Sequence, residues 1–139
     1  MIREFQLVDP RRLKGNKFSK TVGLTRDIFD NPIFNKNTLV GADSEVYAII
    51  CFAPYWRKNF VAMFLIAENM PILAARELRK FLHDAIIDFN ADRVQTESPA
   101  CPELDRWHKF LGFTFEGCKA KMALDMDYNS WGMVRGRDF

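Results

Sequence analysis

Two apolar runs set the terms for this chain. "EVYAIICFAP" (45–54) and "FVAMFLIAE" (60–68) are each nearly continuous in aliphatic, β-branched and aromatic residues, and only "YWRKN" separates them. A strand with one wet face alternates, whereas an unbroken apolar run has both faces covered. The pair therefore predicts a hairpin in the middle of a sheet, with Trp56, Arg57 and Lys58 at its tip. The rest of the chain has to supply layers over that hairpin.

It does so in order. Pro71 to Phe89 predicts a long helix: Ala75, Leu78, Leu82, Ala85, Ile86 and Phe89 follow the 3.6-residue period, while Arg76, Arg79, Lys80, His83 and Asp84 fill the other side. Pro71 suits its first turn, with Asn69 or Met70 near the cap. "DRVQTES" predicts a strand. "CPELDRWHKFL" predicts a second helix, with Pro102 near its start, Leu104, Trp107 and Leu111 as its buried stripe, and Gly112 as its left-handed stop. "FTFEGCKAKMAL" and "YNSWGMVR" then alternate as an antiparallel pair joined by the acidic turn "DMD".

Upstream of the hairpin the signal is weaker. "EFQLVD" predicts an edge strand, and Pro10 to Leu13 a short helix. Residues 14 to 44 predict a long irregular segment, because Gly15, Gly23, Asn31, Pro32, Asn35, Asn37 and Gly41 break every period, with "TRDIFD" giving at most a helical turn or two. Such segments in small domains are often binding loops. The sum is an α/β chain with a mixed, mostly antiparallel sheet and helices on both faces.

At 139 residues this is one domain, spanning 1–139. An apolar fraction of 48% beside 27% charged residues is that of a globular chain, for which disorder is not the default. The longest near-apolar run, Phe60 to Ala67, falls far short of the roughly 20 residues of a membrane helix. "MIREFQLVDPRR" carries charge where a secretory signal is apolar, so the expected location is cytoplasmic, with no membrane partner. Cys51, Cys101 and Cys118 are odd in number and widely spaced, and only His83 and His108 could help them; neither a disulfide framework nor a metal site is expected. A net charge of +2 does not by itself point to nucleic acid. The clusters Arg11, Arg12, Lys14, Lys17, Lys20 and Arg135, Arg137 leave a phosphate-bearing ligand or nucleic acid open as a weaker reading.

An apolar strand, a long helix, the "RVQTE" strand, a helix ending in "LGF", then "EG" and two strands together resemble the Gcn5-related N-acetyltransferase (GNAT) superfamily. The resemblance is strongest over 46–135. "RWHKFLGFTFEGCKAKM" and "DMDYNSWGMVR" look particularly like GNAT-like proteins encoded by bacteriophages. It implies transfer of an acetyl group from acetyl-coenzyme A (acetyl-CoA) to a small-molecule or protein amine. The strand before the long helix would splay from its neighbour, with the backbone of Leu65, Ile66 and Ala67 pairing with pantetheine amides. The pyrophosphate would rest on the first turn of the long helix, at Ile72, Leu73, Ala74, Ala75 and Arg76, where unpaired N–H groups favour an anion.

For proton transfer the resemblance implies an acid at His108, where the family often carries tyrosine, and a base at Glu97, with Glu68 behind it. The plainer alternatives are a partly exposed His108 stacked on Phe110 or Leu104, and carboxylates that are merely solvated. The chain also departs from the family. The phosphate turn, usually Arg or Gln, two residues, Gly, one residue, then Gly or Ala, reads "NMPILA" here and keeps only Ala74. Ile72 replaces a glycine, Pro71 lacks an N–H, and Cys101 stands where Asn commonly opens the next helix. Arg76, Arg79 or Lys80 would have to compensate.

A second function class follows from those departures: a catalytically degenerate GNAT-fold protein with a structural or binding role, such as a phage virion or packaging component. It would then sit in the host cytoplasm or the virion and contact other phage structural proteins through Phe52, Tyr55, Trp56 and Trp131. Pairing of a second copy along the final strands is open to an antiparallel edge.

Overall fold

The computed structural model describes residues 1–13, 35–123 and 125–139. The helical turn expected at "TRDIFD", and Lys14, Lys17 and Lys20 of the basic cluster, lie outside the described residues. Among the described residues the strands are β1 (Ile2–Glu4), β2 (Asn35–Val40), β3 (Val46–Trp56), β4 (Asn59–Ile66), β5 (Arg93–Pro99), β6 (Thr114–Ala123) and β7 (Met126–Val134). They form one seven-stranded sheet in the order β1-β2-β3-β4-β5-β7-β6. Neighbours are antiparallel except β4 and β5, which are parallel. The helices are α1 (Asp9–Arg12), α2 (Ile72–Asp88) and α3 (Pro102–Leu111), and Ala42–Ser44 forms a 3-10 turn.

The central hairpin is present as expected, with Ile50 opposite Phe64 and Arg57 at positive φ in its turn. Its lack of alternation has a direct cause. Ala48, Ile50 and Phe52 of β3, with Ala62, Phe64 and Ile66 of β4, pack beneath Leu78, Leu82, Ala85 and Ile86 of α2. Ile49 and Leu65 point the other way and join Val40 and Val46 under Phe5 and Leu13. Both faces of these strands are therefore covered. Phe52 and Trp131, expected on the surface, are core residues only 1% exposed. Of the four aromatics suggested for contacts, Tyr55 and Trp56 are exposed, and Arg57 lies 5.7 Å from the centre of the Trp56 ring.

The N-terminal expectations shift. The edge strand is Ile2–Glu4 rather than "EFQLVD", and the helix starts at Asp9 rather than Pro10. A buried carboxylate explains both. Asp9, fully buried, accepts from the Gln6 N–H at 2.7 Å, from both Arg3 guanidinium nitrogens at 2.7 and 2.9 Å, and from Thr38 Oγ1 at 2.7 Å. The chain turns at Gln6 to reach it. Residues 35–40, expected within the irregular segment, form β2 between β1 and β3. Asn35 and Asn37 oppose strand formation, but pairing on both sides and burial of Leu39 override local propensity. At the far edge, Ala123 pairs with Met126, so the "DMD" turn is tighter than expected and Met126 and Asp127 belong to β7. Phe89 is 36% exposed rather than buried, and its ring stacks on Phe60 at 5.3 Å.

Candidate functional site

The parallel pair β4 and β5 is hydrogen-bonded only at Asn59–Val61 against Arg93–Gln95, although β4 continues to Ile66 and β5 to Pro99. Beyond Val61 the two strands splay, as the resemblance implied. A cavity of about 370 Å³ fills the opening, walled by Phe64, Thr96, Glu97, Ser98, His108 and Lys119 among others. A second cavity of about 340 Å³ shares Ile66 and Trp107 with the first and runs to Ile72 and Ala75 at the start of α2.

Backbone directions at the splay follow from register. The Ala67 N–H donates to the Tyr47 carbonyl at 2.8 Å, and Leu65 lies opposite Ile49. Because antiparallel pairing alternates, Leu65 and Ala67 direct their polar groups to β3, while Ile66, Phe64 and Ala62 direct theirs into the gap beside β5. Of the three residues expected to meet pantetheine, Ile66 alone turns its backbone toward the cavity. Leu65 also places its side chain in the cluster on the opposite face of the sheet. The backbone groups that face the opening are those of Ile66 and Phe64.

His108 is 4% exposed, so the partly exposed histidine stacked on Phe110 or Leu104 is corrected. The buried side of α3 is Leu104, His108 and Leu111, rotated one residue from the expected stripe, and Trp107 is half-buried against Phe110 at 5.8 Å. The imidazole lies parallel to Trp131 at 5.5 Å and edge-on to Phe113 at 5.8 Å. Its Nδ1–H donates to the Leu104 carbonyl at 2.8 Å, which leaves Nε2 as a bare acceptor. Burial pushes its pKa below the ordinary histidine value, against weaker upward pulls from the Leu104 carbonyl and the Asp105 charge. The ring is neutral at pH 7. In this state Nε2 is free to accept a proton, and the ring can donate from that atom only after taking one up.

Glu97 lines the same cavity from β5, on the other face of that strand from the buried Thr96 and Ser98, so the two candidate catalytic residues border one opening. Its carboxylate is ion-paired with Lys119 of β6 and accepts from Ser130 Oγ at 3.3 Å. Two further polar groups went unnoticed in the sequence. Ser98 Oγ and Trp107 Nε1 are buried, line the cavity and have no hydrogen-bond partner among the described residues. Unpaired buried donors cost about 1–3 kcal/mol each, so both are available to acceptor atoms of water or of a bound molecule. The signal was available: Thr96 and Ser98 occupy the inward positions of an alternating strand.

The start of α2 is less favourable to phosphate. Pro71 is its N-cap residue and makes no side-chain cap, and the Ala75 N–H is already bonded to the Pro71 carbonyl at 3.0 Å. Ile72 and Leu73 are 62% and 72% exposed, while Ala74 and Ala75 are buried. Glu68, Glu103 and Arg106 line the adjoining cavity, which puts two carboxylates there against one guanidinium. Arg76 is exposed; Arg79 lies over the Phe110 ring at 5.4 Å, and Lys80 pairs with Asp84 at 2.5 Å. Cys101 is the N-cap of α3, where its carbonyl accepts from the Asp105 N–H at 3.0 Å and its thiol caps nothing.

Sheet order, the splayed parallel pair and the two helices define a GNAT-like α/β fold. The structure is similar to a variant of the spermidine N-acetyltransferase SpeG from Vibrio cholerae, with a TM-score of 0.78 and 10% identity over 100% of this chain and 95% of that one. It is also similar to a ribosomal-protein-alanine acetyltransferase from Vibrio fischeri, with a TM-score of 0.74 and 9% identity over 99% of this chain and 94% of that one. No protein-family model matches the sequence, and no curated protein is significantly similar to it. Among the described residues, no helix is long and apolar enough to cross a membrane.

Proposed function

We propose that the protein is an N-acetyltransferase that moves an acetyl group from acetyl-CoA to an amine. The observation that carries this reading is the opening between β4 and β5, with Glu97 and His108 both lining the cavity that fills it. The backbone of Ile66 and Phe64, with Ser98 Oγ and Trp107 Nε1, would hold the pantetheine and thioester end. The first-turn N–H groups of Ile72, Leu73 and Ala74, with Arg76 nearby, would face the pyrophosphate. Acetyl-CoA supplies an acyl group activated as a thioester. Glu97 holds the incoming ammonium and accepts one proton, once Lys119 moves aside. His108, with its proton fixed on Nδ1, takes the next at Nε2 and can return it to the departing sulfur.

A second reading rests on the α2 terminus. The exposed Ile72 and Leu73, the missing N–H of Pro71 and the carboxylates Glu68 and Glu103 favour a fold kept as a scaffold; a phage virion or packaging assembly would be one setting for it. Release of free thiol from acetyl-CoA, followed with a panel of primary amines, separates the two. Amine-dependent release that Glu97→Gln abolishes is expected; no release with any amine favours the scaffold.

A further inference from the structure

Lys119 sits where Glu97 would receive an incoming ammonium. Its ammonium is ion-paired with Glu97, and the residue lines the cavity that also holds His108. It reaches there from β6, where it lies opposite Tyr128 of β7. The neighbouring charges are engaged elsewhere: Glu116 is bound by Arg93 and by Arg137. Ser130 Oγ also meets Glu97, at 3.3 Å, and offers no charge. Glu97 is therefore the carboxylate that holds Lys119, and an added alkylammonium would need the same one. The lysine side chain is 55% exposed and flexible enough to swing toward the splay.

From this geometry we infer that Lys119 is an internal acyl acceptor, a modification site whose acetylation controls access to Glu97. The inference rests on the acetyltransferase reading above. Glu97 takes one proton from the Nζ ammonium, and the freed electron pair forms a C–N bond with the thioester carbonyl carbon. The C–S bond breaks, and the remaining extra proton on nitrogen passes through His108 Nε2 to the departing thiolate. The products are Nε-acetyl-Lys119 and free coenzyme A. Acetylation removes the lysine charge, so Glu97 is left to receive the ammonium of an external amine.

Two measurements on the full chain test this. After incubation with acetyl-CoA at neutral pH, peptide mapping is expected to find one acetyl group on Lys119. Its rate should be independent of protein concentration and about tenfold ahead of the exposed Lys80 and Lys109. Glu97→Gln should slow Lys119 about tenfold, to the rate of Lys80 and Lys109, and leave those two alone. In coenzyme-free protein, Lys119→Gln should bind 1,4-diaminobutane about fivefold more tightly, as removal of one competing ion pair predicts. If calorimetry shows acetyl-CoA bound while Lys119 is acetylated no faster than Lys80, or if the diamine affinity does not change, the inference is overturned and the acetyltransferase reading stands. Absence of any acetyl-CoA binding overturns both.

Discussion

The Nδ1–H of His108 donates to the carbonyl oxygen of Leu104, one turn earlier on α3, at 2.8 Å. That bond fixes the tautomer and leaves Nε2 to the cavity chemistry. His108→Phe keeps an aromatic ring between Trp131 and Phe113 but removes the acceptor. Transfer is expected to fall by about 10²–10⁴ in kcat with little change in KM, since only proton handling is lost. Steady-state kinetics checks the split; equal losses in both constants would mean a packing role.

The same residue makes stability depend on pH. Its folded pKa lies below the unfolded value of about 6.5, so the unfolded chain takes up the proton first. Stability should fall as pH drops from about 6.5 toward the folded pKa, then level off with respect to this group. Thermal unfolding of the parent and of His108→Phe between pH 8 and 5, on the order of the window set by that pKa, should show this component only in the parent.

Asp9 acts in the opposite sense. Burial works to raise its pKa, but Arg3, the Gln6 N–H and Thr38 together hold it below the usual carboxylate value. Its stabilisation is complete above the unfolded pKa of about 3.9 and is lost as pH falls through the lower folded value. Asp9→Ala should cost about 2–3 kcal/mol, because it strands the buried Thr38 hydroxyl and the Gln6 N–H while Arg3 can turn to solvent. Thr38→Val should cost about 1.5–3 kcal/mol for one bond to a charged acceptor. Urea unfolding at neutral pH measures both.

Gly112 ends α3 at φ +103, and a Cβ there would lie 3.0 Å from His83 Nε2, the atom that contacts the Leu111 carbonyl at 2.8 Å. Gly112→Ala should therefore destabilise by about 1–3 kcal/mol, read as a lower urea midpoint at unchanged slope.

The thiols should react in order of exposure. Burial pushes the Cys51 pKa up to about 11, against a smaller downward pull from Lys36. A maleimide is expected to label exposed Cys118 first, Cys101 more slowly, and Cys51 only on unfolding. Mass mapping over time checks the sequence of events.

What the sequence conveyed divides along a physical line. Elements whose burial shows in their own pattern were legible: the unbroken β3–β4 hairpin, the 3.6-residue period of α2 and the Gly112 stop. Elements made by partners were not. β2 carries two asparagines and exists because β1 and β3 pair with it, and the first turn of the chain is set by a buried Asp9 whose partners lie up to 29 residues away. At the site, Glu97 and His108 were visible as residue types in the right order of elements. The side of α3 that faces inward was misjudged by one position, because Trp107 looks more apolar than the histidine that is buried beside Trp131. Lys119 and Ser98 had no local signal of their own beyond strand alternation; only the sheet brings them to the same cavity.

The most direct test of the account is titration of acetyl-CoA into the full chain by calorimetry, with thermal unfolding at saturating ligand. The account predicts a single site with micromolar affinity and a raised unfolding temperature, since a ligand bound only by the native state must stabilise it. It also predicts that Ser98→Ala weakens binding, because a buried donor then goes missing from the cavity wall. No heat and no shift at millimolar coenzyme would contradict it.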